Sequence, residues 1–93
     1  MEIESIRHKA LRNLIERGST KGVIEAERVV DMIGFLVAIS RLDELGTPPN
    51  FGFHQLTGDR SGSYAMTVTK NWRLTFALSD DGTIIDLDLE DYH

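Results

Sequence analysis

Ninety-three residues, 41% apolar and 27% charged, make one small globular domain over 1–93 and leave no room for a second core. The chain has no cysteine, which excludes a disulfide framework and a thiolate metal site. Its net charge of −5 argues against a simple nucleic-acid binder, because neutralising phosphates takes clustered lysine and arginine.

The start, "MEIESIRHK", has mixed charge and no apolar run, so no signal peptide is expected. The longest apolar stretch, 32–39, is far shorter than the roughly 20 residues that span a bilayer. The expected setting is the cytoplasm, with no membrane partner. Charge is spread unevenly: residues 1–50 carry seven basic and eight acidic side chains, and residues 51–93 carry three basic and seven acidic. The three are Arg60, Lys70 and Arg73, so any phosphate chemistry in the second half rests on very few cations.

Ile3 and Ile6 flank polar residues and fit either a short first strand or helix. From about Lys9 the pattern is helical, with Ala10, Leu11, Leu14 and Ile15 at spacings of three and four and Gly18 as the stop. The "GSTKG" stretch reads as a loop. A longer helix is expected from about Ile24 to Leu42, with a broad apolar face through Val29, Val30, Met32, Ile33, Leu36, Val37 and Ile39. Gly34 inside it costs about 1 kcal/mol against alanine; a close approach by another element or a kink would account for it. "DELGTPPNFG" is a loop.

From residue 53 the chain reads as antiparallel strands. Tyr64, Met66 and Val68 alternate with Ala65, Thr67 and Thr69. Trp72, Leu74, Phe76 and Leu78 alternate with Arg73, Thr75 and Ala77. Ile85, Leu87 and Leu89 alternate with Asp86, Asp88 and Glu90. "TKN" and "SDDG" between them are hairpin turns. Each strand has one apolar face, so two N-terminal helices should pack on one side of a small antiparallel sheet. The expected fold class is α+β in the order (β)ααβββ. The other face is an open polar floor holding Arg73, Thr67, Asp86, Asp88, Glu90 and Tyr92. Asp91 shares parity with Leu89, although the end of a terminal strand need not keep its pleat.

The run "FHQLTGDRSGSYAMTVTKNWRLTFAL" at 53–78, followed by "DLEDYH" at 88–93, resembles the HigB branch of the RelE superfamily, the plasmid-maintenance killer toxins of bacterial toxin–antitoxin pairs. "HKALRNLIERGSTKGV" at 8–23 is similar to that family's first helix and the loop after it, so the resemblance covers nearly the whole chain. Its most specific parts are His-x-Leu-x-Gly-Asp at 54–59, Asn-Trp-Arg at 71–73 and the terminal Asp-Tyr-His. The resemblance implies a RelE-like fold and a metal-independent, cofactor-free endoribonuclease that cuts mRNA in the ribosomal A site. It also implies a helix-turn-helix, HigA-like antitoxin, and contact with operator DNA only through the antitoxin complex.

Cutting RNA through its own ribose takes a base for the 2′-hydroxyl proton, an acid for the leaving oxygen and cations for the phosphate. On the matched positions, His54 and His93 are the acid–base pair in either order, and histidine suits both roles. Asp91 would orient a histidine, Tyr92 would stack on a base or hold the backbone, and Arg73 would contact the scissile phosphate through its planar fork. Arg60 and Lys70 are the supporting RNA-binding cations. Read without the resemblance, His54 is a half-exposed structural residue, Arg73 is a cross-strand ion pair, Tyr92 is an edge aromatic, and His93 is a strand end. His8 matches no chemistry and is structural. Two departures bear on strength. Thr57 and Thr67 stand where relatives often carry basic residues, and each lost charge-assisted contact removes on the order of 1.5–3 kcal/mol of phosphate binding. A second reading is therefore a catalytically weak or inactive toxin fold that mainly binds its antitoxin. In either reading, a partner would cover the apolar residues of the second helix that the sheet leaves bare.

Overall fold

The computed structural model describes residues 1–46 and 51–91. Helices α1 (Lys9–Arg17) and α2 (Ala26–Ala38) precede the strands β1 (His54–Gln55), β2 (Ser63–Thr67), β3 (Trp72–Leu78) and β4 (Ile84–Asp91). The strands form an antiparallel meander in the order β1-β2-β3-β4. Short 3-10 turns occupy Leu42–Gly46 and Gly58–Arg60. The expected α+β architecture is present. Among the described residues, no helix is long and apolar enough to cross a membrane.

Local chemistry explains the helix ends. The Leu11 N–H donates to Nδ1 of His8 at 3.1 Å, which caps α1 and gives His8 its structural role. Gly18 ends α1 at φ 73°, a left-handed position that glycine takes at no steric cost. Helix α2 starts and stops inside its expected limits. Glu25 precedes it at φ 49°, and Ile39 leaves it in extended geometry. The Met1 ammonium donates to the last-turn carbonyls of Leu36 at 2.9 Å and Val37 at 2.8 Å, offsetting the negative end of the dipole. The chain then turns again because the Glu44 carboxylate accepts the Ser40 and Arg41 N–H groups at 2.7 and 2.8 Å.

Leu11, Leu14, Val29, Met32 and Leu36 of the helices pack on Met66, Leu74, Phe76, Leu87 and Leu89 of the sheet. Gly34 does not mark a close approach. Helix α2 runs through it, and a Cβ built there would have nothing within 4 Å. It lies instead beside an open groove lined by Leu14, Ile15, Val30 and Ile33.

The N-terminal arm forms neither a helix nor a full strand, but runs beside β4 through two isolated parallel bridges, Ile3 to Ile84 and Ile6 to Leu87. A spacing of three on both sides breaks the alternation of β4. Thr75 pairs with Asp88 but Ala77 pairs with Ile85, so an extra residue is accommodated by a bulge. Asp86 carries it at φ 55°, a region aspartate tolerates better than bulky residues, and its N–H donates to Ser5 Oγ at 2.8 Å. The buried set of β4 is therefore Ile84, Leu87 and Leu89, which corrects the expected Ile85, Leu87 and Leu89.

Candidate active site on the polar face of the sheet

Cross-strand partners share a face, so the register places the candidate residues directly. His54 pairs with Ala65, Ala65 with Thr75, and Thr75 with Asp88. The next row of that face is Thr67, Arg73 and Glu90. His54 and Arg73 thus stand on one side of the sheet, opposite the helices. The other side of β1 is held by stacked rings. Phe53 lies on Tyr64 and Tyr64 on Phe76, each with centroids 5.6 Å apart. With Phe53 held there, the pleat turns His54 to the polar face.

Glycine decides how closely the segment before His54 approaches. At Gly52 a Cβ would sit 2.8 Å from Thr67 Oγ1, so any side chain would push the segment off β2. The Thr67 N–H donates to the Phe51 carbonyl at 2.6 Å and closes that contact. His54 Nδ1 is 2.9 Å from the Gly52 carbonyl. A carbonyl only accepts, so Nδ1 carries the proton of this bond. Nε2 is then the ring nitrogen left without that bond, holding the lone pair in the neutral ring and a transferable proton in the charged one.

The second row is organised by Glu90. Its carboxylate takes a forked pair of bonds from Arg60, Nη1 to Oε1 at 2.7 Å and Nη2 to Oε2 at 2.8 Å. Thr75, 2% exposed, donates its hydroxyl to Oε2, and Arg73 Nη2 lies 3.8 Å from Oε1. The Arg60 fork holds the Glu90 carboxyl well below the usual range, at about 2, helped by the Thr75 hydroxyl and the Arg73 charge against the opposing effect of burial. To reach Glu90 on β4, Arg60 must cross β2 and β3 from the end of the sheet that carries β1. The floor is accordingly not fully open, since Ala65 and Thr75 are buried.

Three sequence motifs meet at this carboxylate. Arg60 follows His-x-Leu-x-Gly-Asp, Arg73 ends Asn-Trp-Arg, and Glu90 precedes Asp-Tyr-His. The ion pair read for Arg73 is present, but Glu90 makes its closer bonds with Arg60. Lys70 is exposed in the turn between β2 and β3, where Thr69 Oγ1 accepts the Asn71 and Trp72 N–H groups at 3.2 Å. Asp91 pairs with Trp72, so β4 keeps its pleat to Asp91 and sets it on the Leu89 face, away from the His54 side. Tyr92 and His93 lie outside the described residues. Among the described residues no group of three or more His, Asp or Glu side chains converges as metal ligands would.

Sequence reasoning placed Glu90 on the right face without a role. Its parity with Arg73 was the available signal. Thr75 shares the parity of Arg73, but parity alone does not show that it bonds Glu90. Arg28, which reaches this region from α2, left no local signal.

A family model described as the RelE-like toxin of the type II toxin–antitoxin system HigB matches residues 4–93. The Endoribonuclease HigB of Proteus vulgaris is 37% identical over 93 residues, covering 98% of this chain and 99% of that protein.

Proposed function

The chain belongs to the HigB-like, RelE-like toxins of type II toxin–antitoxin systems, and from that membership we propose that it is a ribosome-dependent endoribonuclease. The observation that carries this reading is the near full-length likeness to an endoribonuclease. The placement of His54 and Arg73 on one face supports it. In the proposed reaction one histidine takes the ribose 2′-hydroxyl proton, the oxygen attacks the adjacent phosphorus, and the second histidine protonates the departing 5′ oxygen. The products are a 2′,3′-cyclic phosphate and a 5′-hydroxyl. His54 acts through Nε2, and His93 is its counterpart. Arg73 meets the charge that develops on the phosphate, Asp91 orients the terminal histidine, and Tyr92 stacks on the message. Side chains suffice for every step, so no metal is called for.

Ribosome dependence follows from charge. Residues 51–93 hold seven acids against three cations, and Glu90 offsets both Arg60 and Arg73. Free RNA is then a weak ligand, bound measurably at low salt but not held for cutting, and the A site must present the message in the cytoplasm. The same observation favours the second reading, a toxin fold with weak or absent catalysis. Programmed bacterial ribosomes with mRNA in an open A site, compared with free mRNA and a His93→Ala variant, separate the two. Cleavage on the ribosome alone, lost in the variant, supports the enzyme. No cleavage by a large excess of folded protein leaves the binding module.

A type II toxin has an antitoxin partner. The proposed partner is a helix-turn-helix, HigA-like protein whose apolar helix covers the α2 face, with operator DNA bound only through that complex. Val30 and Val37 are 49% and 52% exposed, and Ile15 shares the groove with Val30. Val30→Glu is expected to weaken antitoxin binding by about tenfold or more, as loss of a central apolar contact does. An unchanged Kd, measured by calorimetry on the folded variant, would move the antitoxin to another face.

A further inference from the structure

Arg28 belongs to none of the three motifs, yet α2 delivers it to the edge of β2 beside the segment that carries His54. Its Nε donates to the Val68 carbonyl at 2.7 Å and its Nη2 to the Thr67 carbonyl at 3.1 Å. The guanidinium carbon lies 5.2 Å from the centroid of the Phe51 ring, within cation–π range. Phe51 is itself set edge-on against Phe35, with centroids 5.9 Å apart. β1 is only two residues long, so it leaves the Thr67 end of β2 without a strand partner on that side, and Arg28 occupies the gap.

Thr67 links this cation to the rest of the site. Across the ladder its partner is Arg73, its hydroxyl stands against Gly52, and the Gly52 carbonyl holds the His54 ring. Arg28 and His54 therefore flank the same short segment, 51–54. Their electrostatic settings differ from those of Arg60 and Arg73. Glu90 offsets those two, whereas among the described residues Arg28 makes no ion pair and bonds to carbonyls and a ring. The side chain is exposed, its charge is not neutralised by a described carboxylate, and three contacts order the guanidinium in advance. Pre-ordering of that kind lowers the entropy cost of taking a ligand.

We infer that Arg28, laid on Phe51, is a binding residue for single-stranded RNA that takes a phosphate of the message beside the linkage facing His54. The inference rests on the nuclease reading for its substrate, but it is read by binding rather than by cleavage. The ligand is a short single-stranded RNA with a 2′-deoxy ribose at each linkage able to be cut. Its affinity for the whole protein is measured by fluorescence over a salt series. Arg28→Gln is expected to weaken binding about tenfold at low salt and to flatten the slope of log K against log salt by about 0.7, the value of one phosphate on a single strand. Arg28→Lys keeps the charge and should restore most of that slope. Arg17→Gln, at the far end of α1, is the control for net charge alone.

A fall in melting temperature shared by Arg28→Gln and Arg28→Lys, with wild-type affinity and slope in both, would make Arg28 a cap for two edge carbonyls and overturn the inference. Equal losses in Arg28→Gln and Arg17→Gln would overturn it too, as would a wild-type protein with no measurable RNA affinity. A wild type that binds through Arg28 and never cuts on the ribosome would remove the nuclease reading and leave this one standing.

Discussion

Replacing His54 with alanine is expected to lower kcat on programmed ribosomes by about 10²–10⁴, the usual worth of a positioned acid or base, with little change in KM. Fold stability should hardly move. The ring is exposed on a two-residue edge strand, and its hydrogen bond within the chain goes to the Gly52 carbonyl. That bond makes a sharper test available. Asparagine can still donate an N–H from the Nδ1 position to Gly52, but it has nothing at the place of Nε2. His54→Asn is therefore expected to be as inactive as His54→Ala, while keeping the local geometry. The pH–rate profile then gives the order of the two histidines. If the acidic limb of kcat/KM disappears in the His54 variants, His54 is the base. If the alkaline limb disappears, it is the acid. Near wild-type turnover in His54→Asn would take His54 out of the chemistry.

The helices and strands were legible because their apolar residues repeat at the helical and strand periods over several turns or pleats. β4 was misread for a reason its own residues do not show. Ile84, Ile85 and Leu87 offer two acceptable apolar sets, and the choice between them is made by the N-terminal arm. The Ser5 hydroxyl that accepts the Asp86 N–H is 81 positions away along the chain. The end of α2 has the same character, since an ammonium at Met1 supplies donors to its last carbonyls. At Gly34 the helix cost suggests a close approach by another element or a kink. The open groove beside it shows that, among the described residues, no element packs closely against it.

The site divides along the same line. Both His54 and Arg73 fall in motifs, but only Arg73 could be set on the polar face by strand parity; the face of His54 comes from the register of β1 with β2. Arg60 was named as an RNA-binding cation, and what parity could not reveal is that its fork is already filled. A loop residue has no period, so nothing in "TGDRSG" says that Arg60 crosses two strands to Glu90. Arg28 is the stronger case. Its contacts at Thr67 and Val68 are 39 and 40 positions away, and they depend on the angle at which α2 lies over the sheet. The cations that sequence reasoning counted as available are partly neutralised, and one that it did not count stands beside the His54 segment.

Glu90→Gln is the structural test with the largest expected effect. At neutral pH it should destabilise the fold by about 2 kcal/mol, the scale for breaking a forked, half-buried ion pair from one side. Glutamine keeps one oxygen acceptor, so one arm of Arg60 or the Thr75 hydroxyl loses its partner, and Thr75 is too buried to turn to water. The pH dependence has a definite sign. The folded carboxyl titrates at about 2, below its ordinary value of 4.5, so the unfolded chain binds this proton first as pH falls. The stabilisation from Glu90 is complete above about pH 4.5, declines below it and is lost as pH passes through about 2. Urea unfolding of wild type and Glu90→Gln at pH 7 and across the acid range should show two curves that converge toward pH 2. Arg60→Gln made in the Glu90→Gln background should cost much less than it does alone, because the two residues share one interaction. Parallel curves, or fully additive losses, would mean that Arg60 and Glu90 do not hold the three motif segments together. Glu90 and Asp91 would then owe their placement to the β3–β4 ladder alone.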